Sequence, residues 1–165
     1  MPNFLKLSVL TATLALCLLG ETYAQRRIAI FPFENMDGNM QYNTWMYKLQ
    51  DSLSKAFVAA DPEEYNYRVV PQDSVEAILA SLNLDPMNPQ YQSDMWKAVD
   101  ALNVDRVIIG NFNIQAGKFL INAYIYDPTI KLPDPRYQAK DIFKSEDKIY
   151  ECIPIITKRL RPAAM

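Results

Sequence analysis

The sequence predicts a small α/β domain built on one mixed sheet. Short apolar runs bounded by turn residues alternate with segments of helical period. The helical stripes are one-sided, so each helix has a face to bury against a sheet. Two of the strand-like segments flank a tight turn, so part of the sheet is antiparallel. With 165 residues, the chain has enough length for one domain with a substantial core.

Residues 1–24 read as a secretory signal followed by a domain over 25–165. Lys6 opens it, Leu7 to Leu19 is apolar but shorter than the roughly 20 residues that span a bilayer, and Thr22-Tyr23-Ala24 offers small residues at −3 and −1. The competing assignment is a buried N-terminal helix. Cys17 follows Leu16, where a lipoprotein signal places Gly, Ala or Ser, so the sequence favours cleavage after Ala24 over lipid attachment.

Ile28–Phe33 is apolar, closed by proline and phenylalanine, and fits a central strand. Glu34–Gln41 is a polar loop with Asp37-Gly38 as its turn signal. A helix is expected from Asn43 or Thr44 to Ala59, with Trp45, Leu49, Leu53 and Phe57 on its core face and Met46 and Ala56 widening it. Tyr67–Val70 reads as a second strand. Asp73 and Glu76 make a capping pair for a helix carrying Val75, Ile78, Leu79 and Leu82. Asp85–Pro89 is a stiff loop, and a third helix from Ser93 or Asp94 is expected to bury Trp96, Val99 and Leu102.

Arg106–Asn113 reads as a buried strand, Gln115–Lys118 as a tight turn and Lys118–Tyr126 as the returning strand. The return alternates, with Phe119, Ile121, Ala123 and Ile125 on one face and Leu120, Asn122, Tyr124 and Tyr126 on the other. Leu132–Pro135 is expected to be a loop and Tyr137–Phe143 an edge strand. Ser145 caps a last helix with Ile149, Cys152, Ile153, Ile156 and Leu160 inward, kinked or restarted at Pro154. The order is β-α-β-α-α-β-β-(β)-α, with no repeat, low-complexity segment or linker.

Composition narrows function. Removing residues 1–24 takes one cation, Lys6, and one anion, Glu21, so the net charge stays at −2. That balance, with Lys158-Arg159-Arg161 as the one basic cluster, argues against nucleic acid as a partner. There is no histidine, which removes the commonest general base and zinc ligand. Cys152 stands alone after Ala24, on an apolar stripe, and reads as a buried small hydrophobe; an intermolecular bridge or a reactive thiol is the other assignment.

The loop after the first strand has one glycine and no lysine, so it is neither a P-loop nor a dinucleotide fingerprint. Asn35, Asp37 and Asn39 are its candidate ligand residues. Asp37 and Asn39 lack the spacing and closing Glu of a calcium loop and suit a solvated turn. Glu63-Glu64 and the pair Asp94 and Asp100 are the carboxylates to weigh for acid–base work; they read better as loop and helix-surface charges. No cofactor is expected. Asn122, Tyr124 and Tyr126 are the candidate partner surface, because a tyrosine ring can be buried while its hydroxyl finds a partner; the same face could instead lie under a helix.

Two blocks, Ile28-Ala29-Ile30-Phe31-Pro32-Phe33-Glu34-Asn35 and Ala101–Phe112, the latter followed by a hairpin ending at Tyr126-Asp127, resemble the amino-terminal domain of TolB-like envelope proteins. The related set includes the curli secretion channel subunit and lipoprotein activators of cell-wall synthases. The likeness covers about residues 27–127. It departs at Asp127-Pro128-Thr129, where that family often has Thr-Gly after the Asp, and neither propeller repeats nor long channel-forming hairpins are present. The resemblance implies a non-catalytic interaction module in the periplasm or secreted, peripheral at most to a membrane, that docks on another envelope protein. A small-molecule or glycan-binding domain is the alternative, and a carboxylate-based hydrolase a more distant one.

Overall fold

The computed structural model describes residues 25–165, so the signal reading of residues 1–24 and the lipidation question at Cys17 lie outside the described residues. Six strands form one sheet: β1 (Arg26–Ile30), β2 (Glu34–Asn35), β3 (Tyr67–Val69), β4 (Arg106–Gln115), β5 (Lys118–Asp127) and β6 (Leu132–Lys144). Its order is β3-β1-β4-β5-β6, with β2 pairing on β4. The β1, β2 and β3 pairings are parallel, and β4-β5-β6 is antiparallel. The expected mixed α/β architecture is therefore present.

Four α-helices lie on the two faces of this sheet among the described residues: α1 (Asn43–Ala60), α2 (Gln72–Ser81), α3 (Tyr91–Leu102) and α4 (Cys152–Ala164). Met46, Leu49, Leu53 and Phe57 of α1 and Cys152, Ile156 and Leu160 of α4 share one core with Ile28, Ile108, Phe112, Ile121 and Ile125. On the opposite face, Val75 and Leu79 of α2 and Met95, Val99 and Leu102 of α3 enclose Ala29, Phe31 and Val107. The chain thus buries apolar area in two layers, one on each side of the sheet.

The two sequence blocks meet in space. β1 and β4 are parallel neighbours, with Ala29 beside Val107. Arg27 and Asp105 exchange two hydrogen bonds: Arg27 N donates to the Asp105 side chain at Oδ2, 2.7 Å, and Asp105 N donates to Arg27 O at 2.8 Å. Asn103 ends α3 in the left-handed region, φ 48°, and its carbonyl accepts from the Arg27 guanidinium at 3.2 Å. Farther along, the Phe33 ring lies over Gly110 so closely that a Cβ there would sit 2.2 Å from Phe33 Cε1. Ala123, also small, is the cross-strand neighbour of Gly110.

Several expectations are corrected. The first strand leaves regular pairing after Ile30, because Pro32 has no N–H to donate, and the chain re-pairs with β4 only at Glu34-Asn35. Asp73 and Glu76 do not form a capping pair: α2 starts at Gln72 behind Pro71, and Gln72 Nε2 donates to Glu76 at 2.7 Å. Leu82 is exposed rather than core-facing. Trp45 and Trp96 flank their stripes and are only half-buried.

The expected loop Leu132–Pro135 is instead the start of β6. Pro133 and Pro135 are tolerated because β6 is the last strand of the sheet. Ser145 makes no side-chain cap. A 3₁₀ segment, Glu146–Glu151, precedes α4, and Pro154 falls in the first turn of α4, where a missing N–H costs no bond.

Candidate functional site

The helical cover on the second face stops part-way across the sheet. Along β4 and β5, Val107, Ile109, Asn111 and Asn113 stand opposite Tyr126, Tyr124, Asn122 and Leu120. β6 adds Gln138 beside Tyr124 and Phe143 beside Leu120. The α2/α3 core reaches Ile109 and Tyr126 and ends there. Trp96 of α3 meets Tyr126 edge-on, with ring centroids 5.7 Å apart. Tyr124 packs on Tyr126 at 6.4 Å. Beyond it, Leu120 and Tyr124 are half-buried and Phe143 is 50% exposed. So the two readings of the tyrosine face divide: Tyr126 lies under a helix and Tyr124 borders an open apolar surface.

Asn122 serves the sheet itself. Its Nδ2 donates to Asn111 Oδ1 at 3.0 Å, and its Oδ1 accepts from Asp141 N at 2.9 Å. Asp141 has φ 59° at an irregularity in the β5/β6 register, a conformation that an L-residue holds only with support. The amide of Asn122 supplies it.

Asn35, Asp37 and Asn39 lie in one loop, and their polar atoms face one another. Asn35 Nδ2 donates to Asn39 O and Asn43 Oδ1, both at 2.8 Å, and Asn35 Oδ1 accepts from Asp37 N at 3.2 Å. Asn39 Oδ1 accepts from Gln41 N at 3.0 Å, and Asp37 Oδ2 accepts from Ile114 N. These side chains hold the loop against β4. Beside them lies a cleft of about 350 Å³ between the loop and Pro86–Pro89. Met40 and Met87 are 77% and 56% exposed at its border, an adaptable apolar rim.

A second cleft, of about 260 Å³, opens where α3 meets the sheet. Trp96, Tyr124 and Tyr126 wall it, and Glu34, Gln92, Asn111 and Lys131 supply polar groups. Glu34 borders both clefts. Gln92 Nε2 donates to Glu34 Oε2 at 2.7 Å. Burial pushes the Tyr124 and Tyr126 hydroxyls above their ordinary range, so they remain proton donors. Tyr91 is raised further by burial and by the nearby Tyr47 and Glu34, and its buried hydroxyl has no hydrogen-bond partner.

The proposed acid–base pairs sit elsewhere. Glu64 pairs with Arg68 at 2.8 Å and Asp94 with Lys97 at 2.8 Å, both on the surface. Cys152 is buried, and desolvation pushes its thiol up to about 12. Sequence reasoning singled out the loop that Glu34 opens but missed Lys131 and Phe143, and it placed Trp96 in the core. The signal for Trp96 was available: Met95, Ala98, Val99 and Leu102 already complete the stripe, so Trp96 falls at its edge.

No protein family matches the chain, and no curated protein does. Among solved structures the chain is similar to Escherichia coli LpoB in its NMR structure, with 8% identity over 75% of this chain and a TM-score of 0.51. It spans 60% of that LpoB chain. The C-terminal domain of Salmonella enterica LpoB matches at 11% identity, 72% of this chain and 84% of that one, with a TM-score of 0.45. Lipoprotein GNA1162 from Neisseria meningitidis matches at 15% identity, 74% and 83% coverage, with a TM-score of 0.46. The likeness to LpoB is one of fold, and it agrees with the TolB-amino-terminal resemblance of residues 27–127.

Proposed function

We propose that residues 25–165 form a non-catalytic docking module outside the cytoplasm, which binds another cell-envelope or secreted protein through the uncovered face of β5 and β6. One observation carries this: the helices cover only part of the second sheet face, leaving the cross-strand pair Leu120 and Phe143, and Tyr124 on the other side of Asn122, at its open end. Aromatic and apolar side chains exposed on a sheet are the composition of an interface centre. The signal-like residues 1–24 and a fold shared with LpoB support the setting. No helix among the described residues is long and apolar enough to cross a membrane.

Affinity capture from envelope extract tests this with two proteins in parallel, the native chain and Phe143→Arg. A partner retained by the first and lost by the second, with unchanged circular dichroism, supports docking through this face. Equal recovery with both proteins, or no specific partner with either, contradicts it.

A further inference from the structure

We infer that the cleft between α3 and β4/β5 is a binding site for a neutral, hydroxyl-rich ring, a single sugar unit. Its volume of about 260 Å³ lies below the roughly 300–1,000 Å³ typical of drug-sized ligands, so the occupant is about one ring. The Trp96, Tyr126 and Tyr124 rings meet edge to face, at 70° and 64°. In an edge-to-face pair the edge of one ring covers at most one face of the other, and a face left uncovered accepts the C–H side of a sugar ring.

The polar groups select against charge. Glu34 is the one carboxylate lining the cleft and Lys131 the one ammonium. An anion meets Glu34 and a cation meets Lys131. A hydroxyl donates and accepts, so it satisfies both. Lys131 stands at a turn with φ 55°, where its N–H donates to Asp127 O at 2.8 Å, and its ammonium lies 5.7 Å from the centre of the Trp96 ring. Asn111 uses its Oδ1 on Asn122, which leaves its amide N–H groups to donate. Tyr91, only 4% exposed, also lines the cleft, its unpartnered hydroxyl itself buried.

Tyr124 borders both this cleft and the docking face, but Phe143 lies only on the docking face and Trp96 and Glu34 only at the cleft, so variants at those positions test the two separately. The test is a titration followed by ¹H–¹⁵N NMR, in which the two indole signals, Trp45 and Trp96, report separately. The probes are the methyl glycosides of glucose, galactose, mannose and N-acetylglucosamine, with tetramethylammonium chloride and sodium acetate as charged controls. At least one glycoside is expected to shift the Trp96 indole and the Asn111 and Gln92 amides saturably, with Kd on the order of 1 mM, and to leave Trp45 unmoved. Trp96→Ala is expected to abolish the response. Glu34→Gln, isosteric and on the surface, is expected to weaken it by about tenfold and covers the case in which the tryptophan variant does not fold. Absence of saturation with every glycoside, binding unchanged in both variants, or an equal response to either charged control would overturn the assignment.

Discussion

Gly110 has no room for a side chain. A Cβ would lie 2.2 Å from the Phe33 ring, itself fully buried, so a methyl must push a packed aromatic aside. Gly110→Ala is expected to destabilise the domain by about 3 kcal/mol, read from urea unfolding. Combined with Phe33→Leu, its cost should fall below the sum of the single changes, because the two side chains compete for one space. Asp61 is a second structural residue. It accepts from the backbone N–H of Asn66, Tyr67 and Tyr65, Asn66 at 2.8 Å being the shortest, and the Asn66 bond does most to hold its carboxyl below the usual carboxylate range. A lowered folded value means that the carboxylate's contribution is complete above about pH 4 and is lost as pH falls through that value. Asp61→Asn should therefore lie below the native protein in urea midpoint near pH 7, with the gap narrowing as pH falls below about 4. Cys152, buried with a thiol pushed up to about 12, should resist a thiol reagent in the native state and react on unfolding.

Strand β6 shows what local sequence conceals. Pro133 and Pro135 read as breakers, and Asp141 takes the αL conformation, yet all three lie in one strand. They are permitted because β6 pairs only with β5, so its outer edge needs no donors, and because Asn122 bonds the Asp141 backbone across the register shift. None of this is visible in a window of neighbours, since the compensating residue lies 19 positions away. Asn122→Ala should cost about 1 kcal/mol, and amide exchange should quicken at Asp141 before the rest of the sheet. The strands and helices with one apolar face were legible: β4, β5 and the Leu49, Leu53, Phe57 stripe of α1 stand where period alone puts them. Caps were less so, because Pro71 and the 3₁₀ turn at Glu146–Glu151 fix the helix starts without side-chain hydrogen bonds.

At the scale of the whole molecule, one sheet is covered fully on one face and half-way on the other. The split follows from chain order. α2 and α3 are inserted between β1 and β4, so they pack on the parallel half, around β3, β1 and β4. The antiparallel half comes later, joined by tight turns that leave no residues for another covering helix until α4, which packs on the opposite face. The alternation of β5 already named Asn122, Tyr124 and Tyr126 as one face. It could not separate them, because burial on that face depends on how far α3 reaches. The decisive measurement is site-specific photo-crosslinking in intact producing cells, with the reactive residue at Phe143 and, as control, at Tyr65, which is 83% exposed. Docking through the open face predicts one discrete heavier adduct from position 143 and none from 65. Monomer alone at both positions, or the same adduct at both, would contradict it.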